Sequence, residues 1–399
     1  MKTNNITQRS NWVLPIIIFS QFCCTSTWFA GNSIVDELKI AYNLSDQSLG
    51  DISSAVQFGF ILGTFVFAVL TLSDRFSPSK IFFVCATIGA VFNFGLLYND
   101  NTMSTILSFR FFTGFTLAGI YPVGMKIAAD HYKKGLGKSL SLLVGALVLG
   151  KSFPHLIKSF DYTLQWETVI YATSMMSVIG GILILFVSNG PYQKLAKKFD
   201  ATKIIKVFKN SSLRSAAFGY FGHMWELYAF WTFLPVFLLG FSEFHQTQIN
   251  IYFISFLVIA VGAMGCVLGG LLSNKYGTKK IASLSIGISG MCCVLSPLFF
   301  ILGYQQIFII FLLIWGMAVI ADSPLFSTMV AHSAQPESKG TALTIVNCIG
   351  FAITIISIQL LNTIFSPNHN VAFAFLILAI GPVLGLLGLR LNHSTTKSK

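Results

Sequence analysis

The sequence predicts an all-α membrane protein with twelve transmembrane helices arranged as two pseudo-symmetric six-helix bundles. Only 10% of the 399 residues are charged and 54% are hydrophobic, whereas a soluble domain carries about 25% charged residues. The apolar residues form runs that reach the roughly 20 residues a helix needs to cross about 30 Å of hydrocarbon. The longest polar loop separates six such runs from six others. These observations exclude a cytosolic enzyme, a disordered chain and a nucleic-acid-binding module.

The apolar runs are numbered here as spans 1 to 12. In the first half they cover residues 12–34, 51–72, 80–98, 103–126, 137–157 and 167–187, and in the second half 214–239, 249–273, 280–303, 306–331, 340–364 and 371–391. Most gaps are short and hold Gly, Pro, Asn or Asp, which end helices. Span 1 is longer than the 7–15 residues of a signal-peptide core, so we expect it to be retained.

Lys and Arg predict the orientation, because these residues stay on the cytoplasmic side of a membrane. With the N-terminus inside, the cytoplasmic segments hold 22 of the 26 basic residues, and the outer loops hold only Lys39 and Lys158. Both termini are therefore predicted to be cytoplasmic, with the chain in the inner or plasma membrane. The net charge of +12 follows from this topology, so it does not indicate a nucleic-acid partner.

The predicted domains are an N-terminal bundle over 1–187, a basic linker over 188–213 and a C-terminal bundle over 214–399. The linker contains six lysines, at positions 194, 197, 198, 203, 206 and 209. Its apolar residues suggest an amphipathic stretch that lies on the anionic inner membrane surface. A solvated tether that is basic only because of topology explains the same residues equally well.

One loop motif occurs twice, at the same place in each half. After span 2 the chain reads LTLSDRFSPSK (70–80), and after span 8 it reads GLLSNKYGTKK (270–280), exactly 200 residues later. A second pair of similar segments follows spans 4 and 10. Internal repeats of this kind are typical of secondary transporters.

The repeated segments resemble the loop 2–3 motif of the major facilitator superfamily, G-x-L-x-D-R-x-G-R-R/K. The first copy keeps Asp74 and Arg75 but lacks both glycines, and the second has Asn274 and Lys275 in place of Asp-Arg. The resemblance implies that these four residues act as a conformational latch on the outward-facing state. The alternative is that they are ordinary loop charges.

Span 4 adds Arg110-Phe-Phe-Thr-Gly114, which resembles the family's R-x-x-x-G motif. Topology, length, repeat and motifs together cover the whole chain. The resemblance implies the twelve-span fold of this superfamily and a secondary transporter that moves a small solute by alternating access. It implies no enzymatic activity and no cofactor, with a monomer as the expected state.

Four charged residues lie inside the predicted spans, away from the span ends: Arg110, Lys151, Glu226 and Asp322. A charge near the middle of a bilayer costs about 2.5–3.5 kcal/mol on insertion scales, so each is a functional candidate. Structural alternatives remain for all four, and for Glu226 the alternative is a pairing with Arg110 that ties the two bundles together. Arg110 could tie helices together, Lys151 could extend its ammonium outward, and Asp322 could cap a break before Pro324. Glu226 lies near the midplane and is too short to reach water.

In the superfamily, spans 1, 4, 7 and 10 line the central cavity. The resemblance therefore places a set of candidate substrate and coupling residues at or near that cavity, with Lys151 added from span 5. The other members of the set are Gln21, Trp28, Arg110, Tyr121, His223, Glu226, Tyr228 and Asp322. His155 and Lys158 continue the face of Lys151 toward the outside, at i+4 and i+7.

Two cations from the first half and two carboxylates from the second favour an anionic cargo that travels with protons. Glu226, with His223 one turn before it, is the best candidate for the proton carrier. The sequence thus predicts proton-coupled uptake of a small organic or inorganic anion. Two alternatives stay open: a proton-driven efflux pump for drug-like hydrophobic compounds, and a channel or non-transporting receptor.

Two further patterns carry no chemistry. Residues 145–152 match the P-loop pattern G-x-x-x-x-G-K-S/T, but they lie inside an apolar span where the backbone amides are used by the helix. A nucleotide partner is therefore not expected. The seven cysteines form no C-x-x-C pair, so neither a metal site nor a disulfide framework is predicted.

Overall fold

The computed structural model describes residues 12–132, 136–160, 165–193, 208–335, 339–365 and 371–390. Over these ranges all regular secondary structure is helical. Eleven helices are long and apolar enough to cross a membrane, and a shorter apolar helix, Val13–Thr25, takes the place of span 1. The chain is a multi-pass helical membrane protein, which confirms the predicted fold class. Most of the predicted linker, residues 194–207, lies outside the described residues.

The spans keep their numbers, and their bounds move by a few residues. The first half contains Val13–Thr25 and Ala30–Ser33 (span 1), Ser48–Val69 (span 2), Pro78–Leu97 (span 3), Met103–Leu117 and Tyr121–His131 (span 4), Leu136–Lys158 (span 5) and Glu167–Ile184 (span 6). Short helices at Val35–Tyr42 and Leu72–Arg75 lie in its loops.

The second half contains Ser211–Phe244 (span 7), Ile251–Tyr276 (span 8), Thr278–Leu302 (span 9), Gln305–Ala321 and Ser323–Ser333 (span 10), and Lys339–Ile364 (span 11). Span 12 begins as a 3₁₀-helix, Val371–Ala379, and continues as the α-helix Ile380–Arg390. Span 7 stays helical through Pro235.

Spans 4 and 10 are broken, and in both a proline lies near the start of the second segment. Pro122 follows the break at residues 118–120, and Pro324 follows the break at Asp322. Proline lacks the backbone N–H that a helix interior needs, but it fits the first helical turn. The sequence therefore explains both breaks.

Span 1 is also broken, although the sequence predicts one continuous run over 12–34. The helix ends at Thr25, and a second short segment begins at Ala30. Three consecutive hydroxyl side chains, Thr25, Ser26 and Thr27, donate hydrogen bonds to backbone carbonyls three or four residues before them. Side-chain bonds of this kind bend helices, so the run of hydroxyl residues is the local signal for the break.

Spans 1–6 and spans 7–12 are joined mainly along two seams. Span 5 packs against span 8 along one seam, and span 2 packs against span 11 along the other. The repeat relates spans 2 and 5 to spans 8 and 11, so the two seams are equivalent by pseudo-symmetry.

Glycines set the same close helix crossing in each half. A Cβ on Gly114 would lie 2.0 Å from the carbonyl oxygen of Val56, and a Cβ on Gly316 would lie 2.0 Å from that of Val258. Gly316 lies 202 residues after Gly114, and Val258 lies 202 residues after Val56, so the same crossing occurs in both halves. Small residues allow such close backbone approach in membrane helices, so Gly114 of the R-x-x-x-G motif has a packing role.

The outer end is defined here as the end that holds Glu37 and Lys158, following the predicted orientation. Polar contacts join the two halves across this end on both seams. Tyr252 and Asn250 of span 8 contact the first half beside span 5, and Gln359 and Asn362 of span 11 contact span 2. The contacts are Tyr252–Asp36, Asn250–Ser159, Gln359–Asp51, Gln359–Ser54, Asn362–Gln47 and Asn362–Gly50. The structure is therefore closed at the outer end.

Candidate functional site

Lys151 lies fully buried between the two halves, with an exposed fraction of 0%. Its ammonium donates a hydrogen bond to the hydroxyl of Tyr228. It also lies 3.6 Å from the ring centroid of Trp28, 4.2 Å from that of Tyr228 and 5.7 Å from that of Trp231. Such cation–π contacts contribute about 2 kcal/mol when the cation is desolvated. Lys151 thus points into the protein and not outward toward water.

Three rings contact the ammonium, and the rings of Phe60 and Phe351 pack against them. Together the five form what we call the aromatic box: Trp28, Phe60, Tyr228, Trp231 and Phe351. Two of the rings come from spans 1 and 2, and three come from spans 7 and 11. The rings meet across the two halves, with centroid distances of 5.7 Å for Trp28–Tyr228 and 4.5 Å for Phe60–Phe351. The box is therefore shared by both halves.

Two donors in the box have no hydrogen-bond partner. The indole N–H groups of Trp28 and Trp231 are buried and unpaired, and each side chain is only 1% exposed. A buried tryptophan N–H is normally paired. Across the described part of the chain, no acidic side chain contacts Lys151 either. The box thus presents a cation and free donors without an acceptor to match them.

Arg110 lies inside the first half and holds the break in span 1. Its guanidinium donates to the carbonyl oxygens of Thr27 at 2.9 Å and Trp28 at 2.6 Å, and to the Asn93 side chain at 3.0 Å. The break frees those two carbonyls from the helix, and buried carbonyls need partners. The geometry is that of the structural tie that the sequence left open as an alternative to substrate binding.

Glu226 lies inside the second half, between spans 7, 9 and 10. Its carboxylate accepts hydrogen bonds from Ser289 at 2.9 Å, Cys293 at 3.3 Å and the indole N–H of Trp315 at 2.6 Å. Three donors therefore satisfy a carboxylate that is 1% exposed. Glu226 is neither in the aromatic box nor paired with His223.

The interior charges of the two halves occupy matching places. Arg110 lies between spans 1, 3 and 4, and Glu226 lies between the equivalent spans 7, 9 and 10. Asn93 and Cys293, which contact them from spans 3 and 9, are 200 residues apart, the spacing of the loop motifs. The repeat thus extends to the polar interior of each half.

His223 pairs with Asp322, the residue at the break in span 10. His223 Nδ1 lies 2.8 Å from Asp322 Oδ1, and both side chains are 1% exposed. The rings of Tyr220 and Phe326 lie 6.0 Å and 6.3 Å from the His223 ring. The pair joins spans 7 and 10 at a place where the backbone is not helical.

The remaining candidates from spans 1 and 4 are not part of the box. Gln21 is buried, its amide has no hydrogen-bond partner, and its oxygen packs close to Gly124 of span 4. Tyr121 begins the second segment of span 4 and is only partly buried. Both lie on the inner side of the break in their own span.

Lys151, His155 and Lys158 form an outward stripe on one face of span 5, and all three are buried. His155 is 1% exposed, its ring nitrogens have no partner, and it lies against Phe29 and Tyr252. Lys158 forms an ion pair with Glu37. Of the two lysines in this stripe, Lys151 is consequently the one without an acidic partner in the ranges listed for the fold.

Asp74, in the first loop motif, forms an ion pair with Lys126 of span 4, with 2.8 Å between Oδ1 and Nζ. Lys126 also contacts Asp130 at 3.6 Å. Arg75, Asn274 and Lys275 are exposed. In this closed-outside structure the Asp74 ion pair therefore lies within its own half and does not join the two halves.

The sequence did not single out Phe60, Trp231 or Phe351. Trp231 is one helical turn beyond Tyr228, so its shared face was the available signal. Phe60 and Phe351 are two of 39 phenylalanines, and nothing in their local sequence separates them from lipid-facing rings.

A family model described as Major Facilitator Superfamily matches residues 17–358, most of the chain. The chain belongs to this superfamily. This major facilitator is 24% identical over 300 residues to the uncharacterized protein Cj0987c of Campylobacter jejuni, a match that covers 74% of the chain and 90% of that protein. It is 25% identical over 171 residues to NiaP of Bacillus subtilis, named for niacin/nicotinamide transport, which covers 41% of each.

Among solved structures, this major facilitator resembles a D-xylose-proton symporter, with a TM-score of 0.74 and 14% identity over 95% of this chain and 96% of that one. At this identity the likeness shows the shared fold. Two of the three curated relatives are matched over less than half of their own length. The superfamily and the fold together identify a membrane transporter.

Proposed function

We propose that this major facilitator takes up a small organic anion together with protons by alternating access. The observation that carries the proposal is Lys151, a fully buried cation between the two halves with no acidic partner in the described ranges. An unpaired buried charge is strongly destabilising, because desolvation is not offset by a counter-charge. An anionic cargo would supply that counter-charge.

The contacts of Lys151 suit a site that is exposed in turn to the two sides of the membrane. Lys151 and Trp28 belong to the first half, whereas Tyr228, Trp231 and Phe351 belong to the second. Rocking of the halves about this layer would separate the ammonium from Tyr228 and open a place for cargo. Transport by rigid-body rocking around a central site is the general mechanism of such repeated folds.

For the proton, the contacts favour a different group from the one that the sequence favoured. Glu226 is held by three donors in the interior of its half, which suits a structural carboxylate. The His223–Asp322 pair lies at the span 10 break and includes nitrogen and oxygen atoms without a hydrogen-bond partner. We therefore assign proton binding to this pair, and Glu226 to the packing of spans 7, 9 and 10.

The same proposal includes the predicted organisation of the chain. The bundles are 1–187 and 214–399, both termini are cytoplasmic in a cell membrane, and the latch role of Asp74 and Arg75 belongs to the outward-facing state. NiaP is named for niacin and nicotinamide, which agrees with a small cargo for this chain.

Liposomes that contain the purified chain and an entrapped pH indicator test the proposal. Small carboxylates added outside should acidify the lumen faster than in protein-free liposomes, because anion and proton enter together. The matched neutral amides should give no such proton entry. Lys151→Gln should reduce the response to that of protein-free liposomes, whereas Lys151→Arg, which keeps the charge, should retain part of it.

Equal proton entry in wild type and Lys151→Gln would contradict the role of Lys151. Alkalinisation of the lumen would instead indicate exchange of cargo for protons, the reaction of the alternative exporter of hydrophobic compounds. The first result would overturn the assignment of the site to Lys151, and the second would overturn proton-coupled anion uptake.

A further inference from the structure

The aromatic box offers hydrogen-bond donors and no carboxylate or amide acceptor from its own residues. The donors are the Lys151 ammonium, the hydroxyl of Tyr228, whose oxygen accepts from Lys151 while its proton can point to a cargo, and the unpaired N–H groups of Trp28 and Trp231. A carboxylate is an acceptor-only group with about four lone-pair positions. It matches this set, whereas a polyol cargo would need acceptors as well as donors.

The charge at the box fits one negative charge. Lys158 is paired with Glu37, and Arg110 is occupied by Thr27, Trp28 and Asn93. Lys151 is then the one cation that faces the box in the described ranges. A phosphate dianion would remain partly uncompensated there, so a monoanion is favoured.

The walls of the box fit a flat ring. Trp28 and Tyr228 belong to opposite halves, and their rings are 28° from parallel with centroids 5.7 Å apart. The Lys151 ammonium now lies over both rings, 3.6 Å and 4.2 Å from their centroids. If the halves separate and the ammonium moves to the edge of the gap, a planar ring can enter between Trp28 and Tyr228 and stack on both faces. Aromatic pairs prefer such offset-stacked arrangements and gain more than the buried area alone provides. Phe60, Phe351 and Trp231 would surround the ring edge.

We propose that the cargo is a small planar aromatic monocarboxylate whose ring stacks between Trp28 and Tyr228 while its carboxylate binds Lys151. This inference rests on the proposed function and adds the chemical class of the cargo. The orphan indole N–H groups then bind carboxylate or ring heteroatoms, which accounts for both unpaired donors.

Equilibrium binding to the purified full chain in detergent tests this class, with three matched probes. Benzoate has both features, benzamide lacks the charge, and cyclohexanecarboxylate lacks the flat ring. Benzoate should bind about two- to tenfold more tightly than cyclohexanecarboxylate because stacking is lost with the saturated ring. It should also bind at least about tenfold more tightly than benzamide because the charged hydrogen bond is lost.

Variants of tryptophan locate the site. Trp28→Phe and Trp231→Phe each remove one unpaired N–H and should weaken benzoate binding several-fold. Trp225→Phe is the control, because the Trp225 N–H donates to the Ile377 carbonyl outside the box. Lys151→Gln should remove the preference for benzoate over benzamide.

The outcomes distinguish failure of the aromatic cargo class from failure of the proposed anion transport. If cyclohexanecarboxylate binds as tightly as benzoate, the aromatic class is wrong while anion transport stands. If benzamide binds as tightly as benzoate, both the aromatic-carboxylate class and the proposed anion transport fail. If none of the probes binds, the aromatic class is wrong, and the response of the liposomes to aliphatic carboxylates decides the proposed function.

Discussion

At the scale of single residues, a charge inside the membrane has three different fates in this chain. Arg110 donates to the carbonyls that the break in span 1 frees. Glu226 accepts from three side chains in the interior of its half. Lys151 contacts rings and one hydroxyl and has no acidic partner in the part of the chain described. All three lie deep within their spans, so depth does not distinguish a structural charge from the one proposed for transport. Their contacts make that distinction.

Arg110→Gln should lower the melting temperature of the purified protein by several degrees. Each carbonyl that loses its partner costs about 1–3 kcal/mol, and the variant leaves those of Thr27 and Trp28 without the guanidinium. Arg390→Gln, at an exposed position, is the control and should have little effect. If Arg110→Gln keeps the melting temperature but loses cargo binding, Arg110 belongs to the substrate site.

Asp322→Asn should keep counterflow exchange of the cargo but lose accumulation driven by a pH gradient, because the amide cannot release a proton. Glu226→Gln is the matched variant and should retain accumulation, since an amide can still accept from Trp315 and Cys293. Uptake in reconstituted liposomes with and without a pH gradient separates the two. The reverse result, with loss only in Glu226→Gln, would restore Glu226 as the coupling group.

Sequence reasoning found Lys151 from its charge and depth, and Trp28 and Tyr228 because they lie in spans that line the family's cavity. It could not find Phe60 and Phe351, because rings that face the seam and rings that face lipid have the same local sequence. It also gave no partner for His223. Helical spacing places His223 near Glu226, but the side chain pairs with Asp322, 99 residues away in sequence. Local sequence patterns do not predict a contact over that separation.

At the scale of elements, the spans and most of their bounds followed from hydropathy, and prolines explained the breaks in spans 4 and 10. The break in span 1 needed Arg110 as well, since the hydroxyl residues bend the helix and the guanidinium binds the carbonyls that result. The closed outer end depends on long-range pairs between spans 2 and 11 and between spans 5 and 8. Such pairs exist in one conformation and bias the equilibrium between states.

Variants at the two ends should shift this equilibrium in opposite directions. Asn362→Ala removes two hydrogen bonds to span 2 across the outer seam and should raise the open-outside population about tenfold. Asp74→Asn should disfavour the outward-facing state and slow transport while leaving cargo binding nearly intact. Hydrogen exchange at the start of span 2 reports opening, and initial uptake rates report transport. Loss of binding in Asp74→Asn at full expression would contradict a latch.

At the scale of the whole molecule, two pseudo-symmetric halves meet around a layer of rings with one lysine. The symmetry extends from the loop motifs to the glycine crossings and the buried polar interiors. The box breaks this symmetry, because its cation comes from span 5 of the first half and its hydroxyl from span 7 of the second. Function thus depends on the residues in which the repeats differ.

A reporter fused after Lys399, or inserted near Lys198, should behave as cytoplasmic, because 22 of 26 basic residues lie on one side of the predicted topology. An insertion near Lys39 should report the outer side and serves as the control. An outer-side signal at either of the first two positions would contradict the twelve-span arrangement with both termini inside.

Under the proposed function, an anion bound at Lys151 drives the change between states. Positions 46 and 363 are exposed and lie next to the contact of Gln47 with Asn362. Spin labels at these positions, studied by double electron–electron resonance in liposomes, measure the opening of the outer end directly. We expect a saturating carboxylate at acidic pH to increase the short-distance, closed-outside population in wild type and not in Lys151→Gln. An unchanged distance distribution in wild type, or the same change in Lys151→Gln, would contradict this role of an anion at Lys151.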